Sequence, residues 1–162
     1  MMMPSLAELH AAAASVHEVI PPTPQIRSPL LCERVGAEVW VKHENHTPLG
    51  AFKVRGGVLY IADLIKRDPT VTGVIAATRG NHGQSVAFAA AQRGLRSVVV
   101  VPHGNSREKN AAMRALGADV VEHGDDFQDA FVHASALAQS EGLHFCSQLP
   151  PHVGSRRGQL CP

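Results

Sequence analysis

An excess of either charge is missing from this 162-residue chain: 15 Lys and Arg stand against 14 Asp and Glu, for a formal net charge of +1. Such a balance selects neither nucleic acid nor an anionic membrane as a partner. Long apolar runs are missing too. The longest strand-like one, residues 98–101, falls far short of the ~20 residues that cross a bilayer. No basic segment followed by an apolar core opens the chain, so no secretory leader is expected. Cysteine is scarce: Cys32, Cys146 and Cys161 are widely spaced and lack any C-x-x-C pairing, which leaves incidental thiols rather than a zinc or redox site. A cytoplasmic protein that meets neither nucleic acid nor membrane is the expectation.

What is present is ordinary globular material, 44% hydrophobic and 18% charged, enough for one domain or a domain with part of another. From Gly73 onward, short β-rich runs alternate with longer helical stretches. The pattern predicts strands over 74–77, 97–101, 119–122 and 143–145, and helices over 83–93, 107–116 and 127–140. Gly94, Gly117 and Gly142 stand where those helices should stop, and Asn105 or Ser106 where the second should be capped. Four consecutive valines, 98–101, suit a strand buried on both faces, so the expected architecture is α/β: a parallel sheet covered by helices in three layers. The first seventy residues differ. They predict an Ala-rich amphipathic helix over 5–20, an extended proline-broken stretch over 21–29, a strand over 39–42 and a helix over 54–66, belonging to another layer or domain.

Two segments carry candidate chemistry. Lys53 stands at the entry to the 54–66 helix, after Gly50-Ala51-Phe52 and before Gly56-Gly57. A lysine at a helix N-terminus feels the positive end of the dipole, which favours its neutral, nucleophilic amine. Taken alone, it is as readily a solvated surface charge. The second segment, Thr78-Arg79-Gly80-Asn81-His82-Gly83-Gln84-Ser85, lies between a predicted strand and a predicted helix. There, glycines expose backbone N–H groups to an anion, and Thr78, Asn81 and His82 offer side-chain hydrogen bonds. A plain glycine-rich turn is the competing explanation. Neither segment is a P-loop or a G-x-G-x-x-G fingerprint, so nucleotide binding gains no support. His43, Glu44 and His46 do not share the helical face of an H-E-x-x-H site, and no metal is expected there.

The stretch from Lys42 through Gly57 resembles the cofactor-lysine motif of fold-type II pyridoxal 5'-phosphate (PLP) enzymes, in particular the threonine/serine dehydratases. Thr78-Arg79-Gly80-Asn81-His82-Gly83-Gln84 resembles their substrate-carboxylate loop. Pro22-Thr23-Pro24, Lys109 and Gly117-Ala118-Asp119-Val120-Val121 also fall in the family's order, so the resemblance runs up to Phe145. It implies that Lys53 binds PLP covalently and removes the substrate's α-proton, and that Phe52 packs beside the cofactor. By the same resemblance, Asn81 bonds the pyridoxal ring hydroxyl, and Thr78, Gly80, Asn81 and His82 receive the substrate carboxylate. The implied reaction turns L-threonine, L-serine or a related hydroxyamino acid into a 2-oxo acid and ammonia, with PLP as electron sink. Racemisation or β-replacement on the same scaffold, and a catalytically silent remnant, are the alternatives.

Two positions depart from the family. Ala51 replaces the usual serine before Phe-Lys, which removes a hydroxyl but leaves the lysine. Arg79 stands where serine racemase has a proton-donating serine, and an always-charged guanidinium is a poor substitute. Elimination is therefore expected over racemisation, and Arg79 is a candidate contact for an acidic or aromatic substrate. The family's phosphate-binding loop lies further along than these residues reach, so half of the cofactor site is expected to be missing and the fragment to be inactive alone. In the parent fold, residues 1–57 belong to the large domain and 58–145 to the small one, and the parent family is often oligomeric. After Phe145 the βα rhythm stops. Permitted codons for residues 146–162, re-read one frame over, spell VPSFHPTLVRGVASYA, similar to the family's continuation. A truncating frameshift with an aberrant tail is the expectation.

Overall fold

In the computed structural model, which describes residues 4–147, the N-terminal third begins with α1 (Leu6–His17). Ser5 caps this helix and Glu8 returns the bond, a capping box. Only Val16 of α1 is buried, while Leu6 and Leu9 are exposed, so its amphipathic face is narrower than its composition predicts. β1 (Gln25–Arg27) runs antiparallel to β2 (Trp40–Lys42) as a two-stranded ribbon. Between them lies a short helix the sequence pattern did not announce, α2 (Pro29–Val35), with proline in its first turn and Gly36 closing it in the left-handed region. α3 (Lys53–Arg67) follows.

The remaining elements are β3 (Gly73–Ala77), α4 (Asn81–Ala91), β4 (Arg96–Val101), α5 (Arg107–Ala115), β5 (Asp119–Glu122), α6 (Phe127–Glu141) and β6 (His144–Phe145). The four strands form one parallel sheet in the order β5-β4-β3-β6. Alternate residues sort cleanly between its faces. Ile75, Ala77, Val98 and Val100 pack on Ala130 and Ala134 of α6. Val99 and Val101 meet Ala87 and Met113 of α4 and α5. Val74 and Ala76 join a third cluster with Val86 of α4, Val54, Val58 and Ile61 of α3, and Val16 and Ile20 at the end of α1. The expected three layers are thus present, with α3 and α1 built onto the α4 side.

One element starts earlier than the pattern predicts. α4 begins at Asn81 rather than 83 and ends at Ala91, because a Gly-Asn-His-Gly run has poor helix propensity but is held by packing. Asn81 and His82 are therefore in a helical first turn, not in a loop. The expected domain break between residues 57 and 58 falls inside α3, which is unbroken across it. The expected aberrant tail lies, apart from Cys146 and Ser147, outside the described residues.

Candidate active site

The chain changes direction within the sheet at β3: β4 and β5 extend to one side of it and β6 returns to the other. Helices α4 and α6 make these excursions on opposite faces of the sheet. The carboxyl ends of such strands open a crevice, the usual ligand position in open α/β sheets.

Residues 78–80 shape its floor. Thr78 is buried, its N–H donates to the Val100 carbonyl at 3.0 Å, and its hydroxyl accepts from the Gly80 N–H at 3.2 Å. Gly80 is the N-cap of α4, and no side chain caps that helix. The first N–H groups of α4 lack partners within the helix and concentrate its positive dipole end. A Cβ at Gly80 would lie 2.8 Å from Cδ and 3.0 Å from Nζ of Lys109, so a side chain there would displace the flexible end of that lysine.

Lys53 reaches the same crevice from α3, of which it is the first residue. It lines an open cavity of about 390 Å³ together with Thr78, Gly80, Asn81 and His82. The two segments singled out in the sequence therefore meet, although 24 or more positions separate them in the chain. Phe52 is 64% exposed and lines a neighbouring cavity of about 450 Å³, which Lys53 and His82 also border.

Three contacts fix Lys53. Its carbonyl accepts from Ser85 Oγ at 2.7 Å, which ties α3 to α4. Such closeness requires Gly57, since a Cβ there would come within 2.9 Å of the Ser85 carbonyl oxygen. The loop ahead is pinned by the buried Thr47, whose hydroxyl both accepts from the Ala51 N–H and donates to the Ala51 carbonyl, each at 2.9 Å. Only the backbone of Ala51 is used in these bonds. Glu44 then accepts twice from Arg55, at 2.8 and 3.2 Å, and once from Thr23 Oγ1, at 2.7 Å. The Arg55 hydrogen bond is the main cause holding the Glu44 carboxyl below the usual range. Glu44 is thus committed to Arg55, and His43 meets His46 edge-on at 5.8 Å.

His82 behaves differently from its neighbours at the start of α4. Its Nε2 lies 3.3 Å from the Cys146 carbonyl, an arrangement in which the ring N–H donates. Burial pushes its pKa down, the bond to Cys146 acts the other way, and Lys53 adds a further lowering. Its ring therefore bridges the segments after β3 and β6. Three lining features were not legible beforehand. Lys109, from α5, borders the cavity through a tertiary contact that no local pattern marks. Tyr60, bonded at 2.7 Å to His144 Nε2, and Cys146, whose thiol burial pushes up to about 12, line the neighbouring cavity.

The donor set suits an aldehyde cofactor and a carboxylate substrate. One amine stands at a helix head, without an acidic partner among the described residues, beside uncapped N–H groups. Residues 16–156 match the family model described as pyridoxal-phosphate dependent enzyme, and the chain belongs to that family. Among its members it is similar to the biosynthetic L-threonine dehydratase of Pasteurella multocida, 38% identical over 139 residues, which are 86% of this chain and 26% of that protein. A solved PLP-dependent aspartate racemase matches 91% of this chain and 46% of its own with a TM-score of 0.83 and 30% identity. The processed threonine deaminase isoform 2 of Solanum lycopersicum matches 88% and 43%, with a TM-score of 0.75 and 31% identity. The chain thus spans about a quarter of the curated dehydratase it matches.

Proposed function

We propose that this chain supplies the lysine and the carboxylate-binding turn of a PLP-dependent dehydratase acting on L-threonine, L-serine or a related hydroxyamino acid. The observation that carries this is the meeting of Lys53 with the uncapped start of α4 in one crevice. Lys53 would hold the cofactor, with Asn81 beside its ring hydroxyl and Phe52 at its flank. PLP, when bound, supplies the electron sink for loss of the α-proton. Lys53 Nζ would accept that proton. Thr78 shapes the turn so that the backbone at Gly80, Asn81 and His82 receives the substrate carboxylate. The buried His82 ring stays neutral and orients this turn. Residues 1–57 and 58–145 are proposed to belong to two domains of the parent protein, joined through α3. The free thiols of Cys32 and Cys146 favour a reducing compartment, the cytoplasm.

Racemisation is the second possibility, supported by the similarity to the aspartate racemase. Arg79, an obligate cation at the position of the expected neutral donor, weighs against it. Incubation with PLP followed by borohydride should leave a phosphopyridoxyl group on Lys53 in peptide mass spectrometry, absent in Lys53→Ala. Labelling spread evenly over surface lysines would sink the proposal and favour a silent remnant. With the adduct in hand, 2-oxobutanoate formed from L-threonine distinguishes elimination from inversion at Cα, which gives D-allo-threonine.

A further inference from the structure

We infer, building on the dehydratase proposal above, that the crevice is made for a hydroxyamino acid with a second carboxylate on its side chain, held by Arg79 and Lys109. Both residues line the cavity that Lys53 and Asn81 border, and no Asp or Glu lines it. Elsewhere Arg55 pairs with Glu44, Arg67 with Asp63, Arg96 with Asp119 and Glu141, and Arg114 with Glu122. Arg34, Lys66, Arg93 and Arg107 stand singly on the surface among the described residues; what sets Arg79 and Lys109 apart is their place on one cavity. Arg79 and Lys109 have no such partner among the described residues.

The charge count of the site gives this its force. Lys53 is committed to the cofactor, and the uncapped N–H groups of α4 already serve one α-carboxylate. The resemblance assigns the cofactor's phosphate to a loop further along the chain, so the positive charges of Arg79 and Lys109 remain. A neutral side chain would leave them facing each other as bound substrate displaces water, whereas a carboxylate answers both, and Arg79 offers a planar fork for it. Lys109 is exposed, but its stem lies over Gly80, close enough that a Cβ there would stand 3.0 Å from Nζ. Gly80 thereby lets the amine of α5 rest on the turn that binds the α-carboxylate. The chemistry is unchanged by the extra acid. The α-proton and β-hydroxyl leave as water, one water is taken up as ammonia is released, and the net products are a 2-oxo dicarboxylic acid and ammonia.

The test is a titration of the full 162-residue chain with succinate and with butyrate at pH 7.5, followed by calorimetry and by the amide resonances of Gly80 and Asn81. Succinate should bind roughly tenfold to a hundredfold more tightly, the range of a charge-assisted hydrogen bond, and move both amides. Arg79→Ser and Lys109→Met, both at exposed positions, should each reduce that ratio, and Lys109→Arg should keep it. A ratio near one, a ratio unchanged in both loss variants, or no binding of either acid would overturn the inference. Borohydride trapping on the same samples separates the two levels. An adduct on Lys53 with a ratio of one defeats only the acidic substrate, while a retained ratio without an adduct defeats the dehydratase and leaves an acid-binding crevice.

Discussion

Glu44 and Arg55 stand on either side of the loop that presents Lys53, and their bidentate pair holds that loop shut at its base. With both side chains only 22% exposed, Glu44→Gln should lower stability by about 1 kcal/mol in urea unfolding. The pH dependence has a definite sign. Because Arg55 depresses the Glu44 pKa, the stability from Glu44 is complete above the ordinary glutamate value of ~4.3 and is lost as pH falls through the lower folded value. His82 adds a limb at higher pH. Its folded pKa is also lowered, chiefly by burial, so the folded state weakens as pH drops below the ordinary histidine value of ~6.5. Unfolding midpoints between about pH 2 and 8 should show both declines, with Glu44→Gln flattening the acidic one; an unchanged acidic limb in that variant would refute the role given to the pair. At this scale the sequence singled out Lys53, Thr78, Gly80 and Asn81, which lie in contiguous motifs and line one cavity. It did not expose Lys109, whose site role depends on how α5 crosses Gly80, nor the partner of Glu44, which looked like part of a histidine cluster.

Helices α3 and α4 meet at Gly57 and Ser85, and Lys53, the proposed cofactor lysine, depends on that crossing because its carbonyl is bonded to Ser85. Gly57→Ala should destabilise by ~1–3 kcal/mol through overpacking, readable in urea unfolding. Ser85→Ala should cost about 1 kcal/mol for the lost hydrogen bond. A Gly57→Ala chain as stable as the parent would show that the helices separate without penalty. Periodicity disclosed α3, α5 and α6 because each has a buried stripe. α2 has no buried residue at all, so it leaves no apolar rhythm, and only the Ser28-Pro29 start and the Gly36 stop betray it. The early start of α4 was hidden for the opposite reason: burial of Gly83 and Ser85 against its neighbours outweighs weak local propensity.

Across the whole molecule, the parallel sheet and its layers were legible because four valines in β4 and the glycine stops leave little freedom. Its unpaired surface was not, since exposure is set by what packs where. Leu30, Val35, Trp40 and Phe52 are each more than half exposed, on α2, β2 and the turn before α3. Such surface favours association, so sedimentation should show the 162-residue chain self-associating as concentration rises. Leu30→Glu with Val35→Glu should shift it toward monomer, and Trp40, as the single tryptophan, should report this by its emission.

The strand order also sets a timetable. β3 finds β4 after one short helical excursion, but its other neighbour, β6, is the last strand described. During synthesis β3, β4 and β5 can therefore zip together early, while β3 keeps one naked edge until Phe145 has emerged. Pairings so distant in sequence form slowly. The bond from His82 to the Cys146 segment should accordingly be among the last contacts made, and the crevice should acquire its second wall as a late folding event.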